Sequence, residues 1–600
     1  MLVLSLFAPA EAQKTKAQLN AEVSTTFPDN STGQITPLGV QAFQHDVINS
    51  IMPTAPVVNG NFSCFNGTTG LLQDCGTSPT GISIANSNLV AGSANTVKGS
   101  LNGSTTSDIA IVSCSLLYQF TQWVSGTGWQ CGVIPVLPSR AIAATLNLSA
   151  FSAITTQGYA TPGDGGGATF IKIAGPQAFI DSYVTNFTFT AGSGYTDGTY
   201  LGVPFNVGCN GAVTVSSGVV TAVSFAVPCP KETVGLVFTP NNSFVGGSGS
   251  GFSVTVTGIS TAKASFADAV GNLFQFVTDQ AGQANILQFG AKADWNGSDA
   301  SATNNSPAIW SAAAWASYPV ATASAQVFGN KIIFPRGAYM TCGGWNGTIY
   351  DIPIPAGVVF DGLQIGIATL RECAADGSGN HYIELCDSNS AVGQSNCVIQ
   401  NITIDGSALT TSTNGTAMIY SNSGQQFTLA QGVFINAGLR GCVKYEIGKG
   451  GAANDIWIGL QCTQNGGAIN TGFSLNAGST QHIIRDTVFA CGGTGINCPI
   501  AITHSNGRLI AENLDIEGFA FALSQNVGTS GNLSIFKNVQ QNSTSCTAVI
   551  QITAGNTAGN ILFENVATSC PLTIQNNQSG GSNFTGNILK PITCVSGACS

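Results

Sequence analysis

Asn513-Leu514-Asp515-Ile516-Glu517 sets a small polar residue before an aliphatic one and then alternates polar with apolar. The same step recurs at Asn401-Ile402, Gly432-Val433, Gly459-Leu460, Thr487-Val488, Asn538-Val539 and Asn565-Val566. In chain order these seven steps are separated by 31, 27, 28, 26, 25 and 27 residues. Ile404, Ile435, Cys462, Ala490 and Ile516 follow two positions after their aliphatics. A period in the twenties that carries one short alternating strand predicts a solenoid with a continuous stacked core. Asn or Gly at the fixed step suits a bend in the left-handed backbone region, where those residues cost least. The expected fold is all-β, a parallel β-helix. Its inward stack is Ile402, Val433, Leu460, Val488, Leu514, Val539 and Val566.

Six hundred residues exceed one ordinary core, so several domains are expected. Charged residues make up 8% of the chain, and Gly, Ser, Thr and Asn are left to fill the surface. Such a surface suits hydroxyl-rich partners. With 18 Lys+Arg against 28 Asp+Glu, the net charge of −10 argues against nucleic acid as a partner. No apolar run is long enough to span a bilayer.

Met1 to Ala10 is apolar and leads into Ala10-Glu11-Ala12, the small-x-small form of a signal-peptidase site. No positive leader precedes it, and a short apolar tail is the competing reading of residues 1–12. The 18 cysteines include no Cys-x-x-Cys, which disfavours zinc and thioredoxin-like chemistry. Disulfides or buried thiols remain. Cys64/Cys75, Cys114/Cys131 and Cys209/Cys229 are candidate bridges, while Cys462 and Cys491 could be stacked thiols on adjacent repeats. No cofactor or metal is implied.

Residues 13–52 read as helical: Thr36-Pro37 gives a cap and a first-turn proline. Val40, Phe43, Val47, Ile48 and Ile51 mark one face. Residues 53–150 form a Gly/Ser/Thr/Asn-rich spacer with β-like runs such as Asp108-Ile109-Ala110-Ile111-Val112. At 151–185 glycines cluster in Gly158-Tyr159-Ala160-Thr161-Pro162-Gly163-Asp164-Gly165-Gly166-Gly167, with no Lys-Ser/Thr after them to make a phosphate loop. Residues 186–260 read as an inserted Gly-rich β module with a strand-like centre at Val219–Phe225.

The Gly-rich stretch resembles a linker found in bacteriophage tail fibres and tailspikes ahead of a β-helix. Thr26–Pro37 and Cys64–Gly70 are also similar to segments of phage tail proteins. From about 285 to 600 the chain resembles the pectate lyase superfamily, of the rhamnogalacturonase and epimerase-like type. The likeness is carried by Phe289-Gly290-Ala291-Lys292-Ala293-Asp294, a helix opening at Ser306-Pro307, and Lys331-Ile332-Ile333-Phe334-Pro335-Arg336-Gly337-Ala338-Tyr339. Ile309, Trp310 and Trp315 of that helix are available to cover the end of the core. The resemblance implies a right-handed, pectin lyase-like parallel β-helix and, for the tailspike kind, a homotrimer. It leaves the chemistry open. The acidic stretch of the family stands here as Asp294-Trp295-Asn296-Gly297-Ser298-Asp299, and the His-Gly and Arg-Ile-Lys motifs of the polygalacturonase branch are missing.

Glycosidases need two carboxyl groups, one protonated and one ionised. In Leu514-Asp515-Ile516-Glu517 the aliphatics point inward, so Asp515 and Glu517 share an outward face, about 6.5–7 Å apart at the backbone. Phe489 and Cys491 are expected beside them on the preceding coil, and Phe489 and Phe434 are candidate sugar platforms. A second acidic set, Asp486 and Glu512, falls one residue before the step in a column with Gln400, Gln431, Lys537 and Glu564. A surface charge ladder is the plainer reading of that column.

The leading expectation is a phage- or prophage-type tailspike or tail-fibre protein. It would be extracellular or on the virion tail and would bind a bacterial surface polysaccharide, with depolymerisation of that polysaccharide left open. The alternatives are a secreted polysaccharide hydrolase or lyase of the same superfamily and a non-catalytic exported adhesin.

Overall fold

A computed structural model describes most of residues 135–568, with gaps in the connecting loops of which 386–396 is the longest, and short strands on either side. The signal-like start, the apolar stripe of the 13–52 segment, and Cys75 and Cys114 of the pairs Cys64/Cys75 and Cys114/Cys131 lie outside the described residues. The chain divides into two compact units. In the first, three antiparallel pairs are described: Ser63–Phe65 with Leu72–Asp74, Thr96–Gly99 with Ser107–Ala110, and Thr121–Val124 with Gly128–Cys131.

The second unit opens with a five-stranded sheet. Its order is Phe266–Ala267, Leu273–Val277, Thr169–Ile173, Ala153–Thr156 and Val136–Leu137. Residues 151–175 are therefore part of a packed sheet rather than a free linker, and the glycines make the turn of its hairpin. Asp164 organises that turn by accepting the backbone N–H groups of Tyr159, Ala160, Thr161 and Gly166 at 2.8–3.0 Å. Burial pushes its carboxyl up, but these four donors together hold it below the usual range. The turn abuts the first coil, where Gly290 takes φ 80° and a Cβ would strike the Tyr159 ring.

Between Thr169–Ile173 and Phe266–Ala267 the chain leaves to build a module of two three-stranded antiparallel sheets. One joins Val184–Ser193, Ser250–Ile259 and Val237–Phe238. The other joins Gly198–Asn206, Cys209–Ser216 and Val219–Phe225. Phe205, Phe225, Phe238 and Phe252 meet in its own core. The expected Cys209–Cys229 bridge is present, with Cα atoms 4.4 Å apart.

From Gln283 the described strands stack as a parallel β-helix. A typical coil carries three strands, such as Cys397–Gln400, Thr403–Asp405 and Ala417–Ser421. The first two faces belong to one 16-stranded sheet and the third to a nine-stranded sheet. From Gln481 the first two strands fuse across the bend into Gln481–Gly492, Arg508–Glu517, Leu533–Asn542 and Asn560–Thr568. The bend residues are Asn401, Gly432, Gly459, Asp486, Asn513, Asn538 and Asn565, all with φ between 53° and 63°.

Six of the seven predicted inward residues are buried, each contributing about 1.5–3 kcal/mol. Val488 is not; it is 37% exposed. The true step on this coil is Asp486-Thr487, because Asp486 takes the left-handed bend and Thr487 pairs with Leu514. Thr487 and Phe489 are consequently buried and Val488 turns outward.

The helix Ser306–Thr322 covers the start of the stack. Ile309 joins the core, and Trp315 packs 5.7 Å from Phe276 and 6.0 Å from Phe289. Trp310 goes elsewhere, to an outer cluster with Tyr183 and Trp345. The interior also encloses the ion pair Arg440–Glu372 at 2.7 Å, both side chains fully buried. A Cys442–Cys462 bridge ties two faces across it, and Cys491 pairs with Cys498, so neither Cys462 nor Cys491 is a stacked thiol.

Candidate functional site

Beyond the bend, outward side chains form two columns down the coils. One runs Phe434, Gln461, Val488, Asp515, Gln540. The other runs Asn436, Thr463, Ala490, Glu517, Asn542. All are half-buried or exposed, whereas Ile435, Cys462, Phe489, Ile516 and Gln541 between them are buried. The alternation follows from the strand period of two.

Asp515 is half-buried between Val488 and Gln540, and Glu517 is exposed between Ala490 and Asn542. Asp515 Oδ1 is shielded from solvent and accepts no hydrogen bond from the described residues. An acceptor shielded from solvent is equally shielded from a ligand, so this oxygen meets an outside donor only after a side-chain rotation. The two carboxyls thus share one face of one coil.

The other predicted acids are not brought together. Asp486 sits at the bend and accepts Asn513 Nδ2 at 2.8 Å. Arg485, rather than Asp486, stacks on Glu512, with Nε 3.0 Å from Oε2. Lys537 and Glu564 continue the column at 3.6 Å. The column is thus the surface charge ladder of the plainer reading, with Arg485 in the place expected of Asp486, because the one-residue slip moved Asp486 to the bend.

Phe489 is no sugar platform: it is fully buried, its ring edge-on to Phe473 with centroids 4.9 Å apart. Cys491 is likewise not beside Asp515; Val488 and Ala490 flank the acids from that coil. Phe434 does lie in the outward column. Above it the loop at Leu363–Gly366 overhangs the coils, with Leu363 and Ile365 exposed. A Cβ at Gly432 would meet Ile365 Cδ1 at 2.9 Å, and one at Gly366 would touch the Phe434 ring at 3.8 Å. The loop therefore forms a wall at one end of the columns.

A second cluster escaped the sequence reading. The Arg371 guanidinium lies 4.1 Å from the Trp295 ring centroid, bonds Asp405, and has Nε 3.8 Å from Asp299. Asp299 accepts Ala374 N–H at 2.7 Å and Trp295 Nε1–H at 2.9 Å. The Ala374 donor, the Trp295 donor and Arg371 outweigh burial and hold its carboxyl below the usual range. The acidic stretch at 294–299 was the available signal, but its partner Arg371 carries no local signature. With its charges already paired, the cluster clasps the 294–303 loop to the coils.

Among the described residues no group of three or more His, Cys, Asp or Glu is placed to hold a metal ion. No described helix is long and apolar enough to cross a membrane.

No protein-family model matches the chain, and no curated protein does. Several solved structures are similar to it. Pantoea stewartii WceF, described as a glycan biofilm modifying enzyme with a bacteriophage tailspike-like parallel β-helix fold, is 12% identical with a TM-score of 0.39; the match covers 75% of this chain and 49% of WceF. The enzymatically active domain of bacteriophage CBA120 tailspike protein 4 is 11% identical with a TM-score of 0.34, covering 78% of this chain and 56% of that one. The A-module of the Azotobacter vinelandii mannuronan C-5 epimerase AlgE6 is 12% identical with a TM-score of 0.24, covering 52% of this chain and all of the module. This chain thus spans about half the length of the first two.

Proposed function

We propose that this chain is a tailspike-type polysaccharide-recognition protein whose glycan-binding face is the pair of outward columns around Asp515 and Glu517. The observation that carries the reading is that pair: two carboxyls on one coil face, set among amide, hydroxyl and apolar side chains. Amides donate to and accept from sugar hydroxyls, and carboxylates accept from them strongly. Phe434 and Val488 offer apolar surface to the C–H faces of a sugar ring. Hydrolysis at the pair is the reading if the protein is a depolymerase. A homotrimer on a virion tail is the assembly the tailspike resemblance implies.

One observation favours a secreted enzyme or adhesin instead. Bridges Cys209–Cys229, Cys342–Cys373, Cys442–Cys462 and Cys491–Cys498 suit maturation in an oxidising compartment.

The test is binding of purified bacterial capsule and lipopolysaccharide by the full chain, followed by assays for reducing ends and for unsaturated products. If the chain cleaves, Asp515→Asn or Glu517→Gln is expected to lower turnover by about 10²–10⁴. Undiminished binding and cleavage by both single amides would remove this face from the function.

A further inference from the structure

We infer that the polysaccharide taken by this face is uncharged: a neutral glycan rather than a uronate, sialate or phosphate polymer. The inference rests on the glycan reading above and concerns its substrate class. From Phe434 to Asn542 the two outward columns hold the carboxyls of Asp515 and Glu517 and no Lys, Arg or His. Of the cations across the bend, Arg485 is engaged by Glu512 at 3.0 Å and Lys537 by Glu564 at 3.6 Å, while the exposed Arg508 stands at the far end of its strand, seven residues from Asp515. Arg371, which stands in the second column two coils above Asn436, is held by Asp405 and Asp299.

A polyanion laid along these columns would bring its charges to contact with Asp515 and Glu517. That is well inside the ~8 Å over which physiological salt screens exposed charges. Nothing on the face would neutralise them. A uronate would also find no cation to stabilise the charge that builds up during its elimination. A neutral chain meets no such penalty. Gln461, Thr463, Gln540 and Asn542 match hydroxyls as donors and acceptors. Val488 and Ile365, both exposed aliphatics, suit methyl-bearing substituents such as acetyl or deoxy groups.

The experiment uses the full chain on an array of purified bacterial polysaccharides of known repeat composition, neutral and polyanionic, at low and high sodium chloride. Retention of neutral glycans is expected, with affinity changing less than about twofold with salt, since exposed charge–charge attraction is not involved. Retention confined to polyanions, strengthening at low salt, overturns the inference and leaves the glycan reading standing. Binding to neither set overturns the glycan reading itself. Glu517→Lys changes an exposed side chain and is expected to add polyanion retention at low salt; no such gain overturns the assignment to this face.

Discussion

Asn538 donates its side-chain amide to Asn513 Oδ1 at 2.9 Å, and both residues hold left-handed backbone, with φ of 53° and 56°. Asn565 continues the ladder to Asn538 at 3.1 Å, and Asn513 begins it on Asp486. Asparagine therefore meets two demands at the bends of 513, 538 and 565, the backbone region and the bond between coils. Asn538→Gly keeps the backbone and loses the amide, while Asn538→Ala loses both. Each lost hydrogen bond is worth about 1 kcal/mol. The alanine variant is expected to be less stable than the glycine variant by a further 1–2 kcal/mol or so. Denaturant unfolding of the two variants measures the difference, and equal midpoints would remove the backbone argument.

Val488 and Phe489 distinguish the observed register from the one the repeat suggests. Phe489→Ala is expected to cost about 3–5 kcal/mol through the cavity it leaves. Val488→Ala, on the outer face, should stay within about 0.5 kcal/mol. Unfolding midpoints that rank the two the other way round would restore the sequence-based stack.

The Cys209–Cys229 bridge staples a module with its own small core. The double serine variant is expected to weaken that module by about 2–4 kcal/mol. Limited proteolysis should then cut first within residues 184–259 while the coils stay protected. Cleavage spread evenly over the chain would show that the module does not melt by itself.

His381 ties stability to pH. Burial, then the nearby Lys444 and Arg440 charges, bring its pKa down to about 3, and Nδ1 accepts the Ala417 N–H at 2.9 Å. In the unfolded chain it titrates near 6.5. The folded state therefore favours the neutral ring. Its contribution is complete above the unfolded value and is lost as pH falls from about 6.5 towards 3. His381→Asn should flatten the acid limb of a stability-against-pH curve over that window. An unchanged slope would assign the acid sensitivity to other groups.

The coils were legible because each repeats the same requirement: a left-handed bend, then inward aliphatics. The reading slipped at Thr487-Val488 because it followed the polar-aliphatic step and passed over Asp486, although Asp tolerates the left-handed region and a β-branched Thr does not. The pairing of Thr487 with Leu514 confirms the bend at Asp486. That slip turned Phe489 outward on paper and set Asp486 against Glu512. Asp515 and Glu517 survived it because alternation within a single strand fixes their shared face. The Arg371 clasp was invisible for a different reason. Its partners Asp299 and Asp405 are brought to it by coil stacking and by a surface loop, neither of which leaves a local pattern.

The inserted module departs after Thr169–Ile173 and returns at Phe266–Ala267, strands that flank the same neighbour, Leu273–Val277. Its seat on the coils includes the bond from Trp345 Nε1 to the main-chain carbonyl of Phe225 at 3.1 Å. Any strand ending at that place can present a carbonyl, whatever its side chains. In descent, the region between residues 184 and 259 can be exchanged for an unrelated cassette while the coils keep their register. A lineage can thus change what it displays beside the β-helix without having to rebuild the β-helix itself.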